Sequence, residues 1–139
     1  MLLDHQILIN MENKLLDTNV IIRVLVQDWW DNVIQAKKYI SNIEKGKYRW
    51  VVSPIIVAEC IYVLSWPYKF ERKVIANVLQ MFFLTKNFFL EENEIICNSL
   101  SLFWKTTLDF ADCYLIAKNK KKKYNGILTF DEKLKKVIQ

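Results

Sequence analysis

Glycine and proline are scarce, two of each in 139 residues. That leaves little room for flexible linkers, and neither a G-x-G-x-x-G nor a Walker pattern occurs, which removes the common nucleotide-binding loops. The three cysteines, Cys60, Cys97 and Cys113, are far apart and form no C-x-x-C pair, and the sole histidine is His5. A zinc site therefore has too few ligands, and reduced thiols in a cytoplasmic protein are expected. No apolar run reaches the roughly 18 to 20 residues that span a bilayer. The longest candidates are interrupted by Glu59 or Asn77. The opening MLLDHQILIN is apolar but lacks a basic leader and a small-residue cleavage site, so it does not read as a signal peptide. Met11 follows it directly. Residues 1–10 are read as an N-terminal extension and 11–139 as the domain proper.

What the chain has is apolar mass and a modest positive charge. Hydrophobic residues make up 53%, enough for one core in a chain of this length. The net charge of +5 suits a polyanionic partner without specifying one. Apolar periodicities switch repeatedly between strand-like and helix-like. Lys14 to Leu16 read as a strand, followed by a helix carrying Val20, Ile21, Val24 and Leu25. A second helix from about Asn32 stops at Gly46, and Tyr48 to Val52 are rich in β-formers. Ser53-Pro54 starts a helix that runs to Leu64. Phe70–Leu84 and Glu92–Trp104 read as helices around a short strand at Phe88–Leu90, and a further helix begins at Asp109. A last strand is expected at Ile127 to Phe130 after the Asn125-Gly126 turn, then a short helix from Asp131 to Val137. Such alternation predicts an α/β chain, a three-layer α/β/α sandwich around a central parallel sheet.

Most acids lie on polar faces, but four do not. Asp17 closes the strand in LLDTN, and Asp131 closes the expected strand in ILTFD. In a parallel sheet both fall at the carboxyl edge, where open α/β sheets place their sites. Glu59 interrupts IIVAECIYVL, an almost wholly apolar helix, which predicts a semi-buried carboxylate near the same edge. Asp112 lies in the first turn after Asp109, and the two share a helix face. Converging carboxylates repel by roughly 4 kcal/mol per pair at about 4 Å and an effective dielectric near 20. No basic residue adjoins them in these motifs, so a divalent cation is the simplest remedy, and an all-oxygen set selects magnesium or manganese. Such an ion can activate water against a phosphodiester. No Ser-His or Cys-His pair is at hand for a covalent route.

Together LLDTNVIIRVLVQD, SPIIVAECIYVL, LDFADCYLIA and LTFDEKL resemble, in order and separation, the PIN-domain family, particularly the toxin subunits of VapBC toxin–antitoxin pairs. The resemblance covers nearly the whole chain from about Lys14. It implies a metal-dependent endoribonuclease acting through Mg2+ or Mn2+ on an RNA substrate. It implies Asp17, Glu59, Asp112 and Asp131 as metal-holding catalytic acids, Asp109 as a fifth, and Asn19 and Thr129 as polar groups that hold carboxylates by hydrogen bonds. It also implies a homodimer and a small antitoxin partner. The chain ends soon after the closing helix, where the family usually continues into another short strand, and Trp29-Trp30 replaces a usually polar loop.

Bland readings stand beside these. Asp17, Asp109 and Asp131 can each be a helix cap, Asp112 an acid favoured by the helix dipole, and Glu59 a surface residue. The lysine run at 118–123 suits a helix C-terminus about 15 Å from the acids. Arg23, Lys69, Arg72 and Lys105 are better placed for phosphate contacts, Trp29-Trp30 reads as a partner surface, and the cysteines as core. A non-toxin RNA-processing nuclease and a catalytically silent interaction module of the same fold are the alternatives. An aspartyl phosphatase needs an Asp where Asn19 stands, and a DNA nuclease of similar fold normally carries more acids and long insertions.

Overall fold

A computed structural model describes residues 12–26, 38–39, 41–42 and 45–138. The elements, in chain order, are β1 (Glu12–Leu15), α1 (Thr18–Val26), β2 (Tyr48–Val52), α2 (Pro54–Ser65), α3 (Arg72–Phe83), β3 (Phe88–Leu90), α4 (Asn93–Lys105), α5 (Phe110–Lys122) and α6 (Glu132–Ile138). Among the described residues the strands form one sheet in the order β1-β2-β3. Both pairs are parallel, with Leu15 opposite Val51 and Val52 opposite Leu90. Parallel neighbours require helical crossovers, and the helices flank the sheet in the expected α/β/α layers.

Local chemistry accounts for several boundaries. Ser53 has extended backbone, Pro54 follows at the first helical position, and the amides of Ile56 and Val57 both donate to the Ser53 carbonyl. Gly46 has φ +77°, and the Lys47 amide reaches back to the Asn42 carbonyl at 3.2 Å, the closure of a helix whose end needs a left-handed residue. The rest of the helix expected from Asn32, the Trp29-Trp30 pair and the extension at 1–10 lie outside the described residues. The core brings Val52 of the sheet together with Ile21, Val57, Cys60, Leu79, Ile96, Leu100 and Leu108 from loops and helices.

One expected strand is absent. Residues 127–130 form no regular element and pair with no described strand, and Leu128 and Phe130 are fully exposed. Their β-forming composition expresses a local preference, whereas a strand also needs a neighbour to bond. Asp131 therefore ends no strand. It stands just ahead of α6, where its Oδ1 accepts the Leu134 amide at 2.8 Å.

The middle of α5 is fastened to the start of α4 by a polar cluster. Tyr114 donates its hydroxyl to Glu92 Oε2 at 2.5 Å, and Lys118 Nζ bonds both the Tyr114 hydroxyl and Glu92 Oε1 at 3.0 Å. Lys121 likewise pairs with Glu94, so part of the lysine run serves the scaffold. Tyr114 and then Lys118 hold the Glu92 carboxyl below its ordinary value of 4.5. An acid whose folded value is depressed stabilises the fold above the unfolded value and loses that contribution as pH falls through the folded one. Glu92→Gln should therefore cost about 1 kcal/mol at neutral pH. It should also flatten the decline of stability below about pH 4.5, checked by urea denaturation across that range.

Candidate active site

Asp17 follows β1 after Leu16, whose buried side chain and amide, bonded to the Val51 carbonyl at 3.0 Å, fix the strand's exit. The Asp17 Oδ1 accepts the Thr18 amide at 2.8 Å. Thr18, only 3% exposed, opens α1 and donates its hydroxyl to Glu59 Oε2 at 2.9 Å. This bond joins the first and second helices and sets Glu59 beside Asp17. The Cys60 thiol registers the result: it is pushed up to about 12, first by burial and then by the negative charges of Glu59 and Asp17.

Glu59 itself is exposed, not semi-buried. The reason is the phase of α2. Val57, Cys60, Ile61 and Leu64 point into the core at helical spacing. The opposite stripe, Ile55, Glu59, Tyr62 and Trp66, faces outward although three of its members are large and apolar. An apolar neighbourhood in sequence did not mean an apolar neighbourhood in space.

The second group of acids gathers around α5. Asp109 occupies the N-cap position, but its side chain bonds no helix amide, so its exposed carboxylate is not used as a cap. Asp112, one turn on, is half-buried. Its carboxyl is raised above the ordinary range, first by burial and then by the negative charges of Asp131 and Asp109, with Lys133 opposing. Lys133, in the closing motif itself, is thus a basic neighbour that sequence reasoning overlooked. Its Nζ donates to the Thr107 carbonyl at 2.8 Å. Thr129 Oγ1 accepts the Asp131 amide at 3.0 Å and so braces its backbone. No hydrogen bond from Asn19 to the acids forms among the described residues. Thr18, which the sequence did not single out, makes that contact instead. Its burial was the missing signal, and burial is not written in the sequence.

The structure thus brings Asp17 to Glu59, and Asp131 and Asp109 to Asp112. It does not close them into one cage, since among the described residues no three acidic, thiol or imidazole side chains are grouped to hold a metal ion. The donor chemistry nonetheless suits a hard cation. Carboxylates furnish the donors, while Cys60 and Cys113 are fully buried, with thiols raised chiefly by burial. Among the described residues Asp17, Glu59 and Asp131 each have one oxygen bonded to protein and the other left open.

A cleft runs between α2 and α5. One hollow of about 250 Å³ lies between Pro54 and Tyr114, and a larger one of about 610 Å³ extends past Trp66 and Phe70 to Asp109. They share Ala58, Phe110 and Ala111. Arg72 lines the larger one but is no free phosphate ligand. Its Nε donates to the Phe103 carbonyl at 2.9 Å, its Nη2 to the Phe103 and Leu108 carbonyls, and its guanidinium lies 3.7 Å from the centre of the Phe103 ring. Arg72 is a strut for the turn that delivers Asp109.

A parallel three-layer α/β/α chain with carboxylates after its first strand and along the following helices defines an acidic-centre fold of the PIN type, and the PIN domain profile matches residues 14–138. The chain belongs to the PIN-domain family. Among curated proteins it is similar to a VapC ribonuclease of Aquifex aeolicus (strain VF5), 28% identical over 125 residues, which cover 89% of this chain and 91% of the relative. No solved structure matches it significantly.

Because a lysine cannot reproduce a forked, ring-stacked guanidinium, Arg72→Lys should destabilise the protein by about 1.5–3 kcal/mol, seen as a lower midpoint in chemical denaturation at unchanged slope.

Proposed function

We propose that this chain is a metal-dependent endoribonuclease that hydrolyses RNA phosphodiester bonds with metal-activated water, and that it is the toxin of a toxin–antitoxin pair. Family membership and the VapC relative support nuclease chemistry. The observation that carries the reading is the half-tied state of three carboxylates: among the described residues Asp17, Glu59 and Asp131 each spend one oxygen on a protein donor and keep the other open. Of the three, the Glu59 bond joins separate elements, holding an exposed helical carboxylate toward Asp17 from a buried hydroxyl 41 residues away in sequence.

Asp17, Glu59, Asp112 and Asp131 would hold Mg2+ or Mn2+, with Asp109 at the mouth of the cleft. When bound, such an ion lowers the pKa of water and neutralises charge on a phosphoryl oxygen. Thr18 fixes the rotamer of Glu59 through its hydroxyl, and Thr129 and the Leu134 amide fix Asp131. Phe110 and Ala111 wall the approach from α5.

No helix among the described residues is long and apolar enough to cross a membrane. A cytoplasmic homodimer restrained by a small antitoxin protein completes the proposal, on the strength of the relative's kind.

Cleavage of single-stranded RNA should require Mn2+ or Mg2+, stop with EDTA, and fall to background in Asp17→Asn. Full activity in that variant would sink the assignment. Thr18→Val should lower kcat about 10- to 100-fold with little change in KM, and Thr18→Ser should restore most of it, because only the hydroxyl's hold on Glu59 is at stake.

A further inference from the structure

The scaffold absorbs only part of the lysine run that closes α5. Lys118 is tied to Tyr114 and Glu92, and Lys121 to Glu94. Among the described residues Lys122 and Lys123 meet no carboxylate within ion-pair distance. Lys122 stands one turn beyond Lys118 and two beyond Leu115, so the three share a face of the helix. Beside that face is a hollow of about 280 Å³ lined by Leu115, Lys118, Asn119, Tyr124, Ile127 and Leu128. Leu115, Tyr124 and Leu128 are all exposed despite their apolar bulk. The walls are fixed: the Asn119 carbonyl accepts the Tyr124 amide and its side-chain oxygen the Gly126 amide, both at 3.2 Å. Beyond the hollow, residues 127–130 form no regular element. Among the described residues their amides and carbonyls bond no other backbone group, and Leu128 and Phe130 lie open to water.

Each of these features constrains a ligand. Unpaired backbone is met by a second chain that offers its own amides and carbonyls, as when an extended peptide adds to an exposed edge. An apolar hollow takes an apolar side chain. Ammonium groups at its rim take carboxylates. An acidic peptide with apolar residues between its acids offers all three. RNA has no peptide groups to set against 127–130. A second copy of the chain, itself of net charge +5, would set its own lysines against these. An anionic bilayer would meet the lysines but has no side chain to fill a recess.

We infer that the hollow at the end of α5, with residues 127–130 and the ammonium groups of Lys122 and Lys123, docks an extended acidic peptide of a partner protein, one apolar residue of which enters between Leu115 and Leu128. The surface is separate from the cleft between α2 and α5, since Asn119 stands about 10 Å further along the helix axis than Asp112. It goes beyond the nuclease reading and does not depend on it. It also accounts for lysines in excess of those that fasten α5 to α4, and for large apolar side chains left open beside them.

The test uses the full chain and short fluorescent peptides read by anisotropy: one alternating leucine with glutamate, one leucine with lysine, one serine with glutamate. The leucine–glutamate peptide should bind saturably, and the other two about 10-fold or more weakly. Leu115→Ser and Leu128→Ser should each weaken its binding about 5- to 30-fold, while Leu128→Met binds like the unmutated chain. Lys122→Gln and Lys123→Gln should each weaken it about 2- to 5-fold and lower its salt dependence. Amide exchange at residues 127–130 should slow with the peptide bound. Met81→Ala, exposed on α3, serves as the control, and thermal melts confirm that every variant folds. No binding of the leucine–glutamate peptide, equal binding of the leucine–lysine peptide, unchanged affinity in both serine variants, or unchanged amide exchange overturns the inference. So does binding to phosphatidylserine vesicles, or self-association in sedimentation, that Leu128→Ser abolishes; the first assigns the face to a membrane surface and the second to another copy of the chain.

Discussion

A single buried hydroxyl organises the acidic edge of this protein. Thr18 sits almost wholly out of solvent at the start of α1, where an unbonded hydroxyl would be costly, and its acceptor is Glu59 on α2. That bond spans 41 residues of sequence. It ties α1 to α2 beside the apolar packing of Ile21, Ile22, Val57 and Ile61, and brings Glu59 to Asp17 through a hydroxyl rather than a basic residue. Leu16, anchored below, keeps the strand's exit in place so that the Thr18 amide can hold Asp17 as well.

The second constraint is that α5 performs two tasks. Its first turn bears Asp112 beside the uncommitted Asp109, while Tyr114 and Lys118, one and two turns further on, lock it to Glu92. Glu92 has a left-handed backbone (φ 54°), a conformation that an L-residue adopts at some cost and that the ionic cluster helps to retain. Arg72 braces the preceding turn from α3. Carboxylates that repel one another are thus held by scaffolding one or two turns away, which leaves the acids themselves open.

How much of this was legible varied by feature. The element order, the parallel sheet and the Ser53-Pro54 start followed from periodicity and turn chemistry, which are local. The candidate acids were singled out by their settings at expected strand ends and in apolar helices, although Asp131 follows no strand and Glu59 faces outward. The exposure of Glu59 did not, because α2 is apolar on nearly every side and only the packing of Val57, Cys60, Ile61 and Leu64 decides which side is inner. Arg72 read as a phosphate ligand because charge is visible in sequence while a pair of waiting carbonyls is not. Thr18 went unnoticed as a carboxylate partner for the same reason.

The sequence by itself determined the class of fold and where along the chain the carboxylates fall, since hydrophobic period and residue type act over a few neighbours at a time. Only the tertiary structure decided that Glu59 meets Asp17 through Thr18, that Asp112 lies near Asp131 and Asp109, and that residues 127–130 remain unpaired. Each of these depends on contacts between segments far apart in the chain. Such contacts are set by which faces the core buries and which donors it leaves in reach.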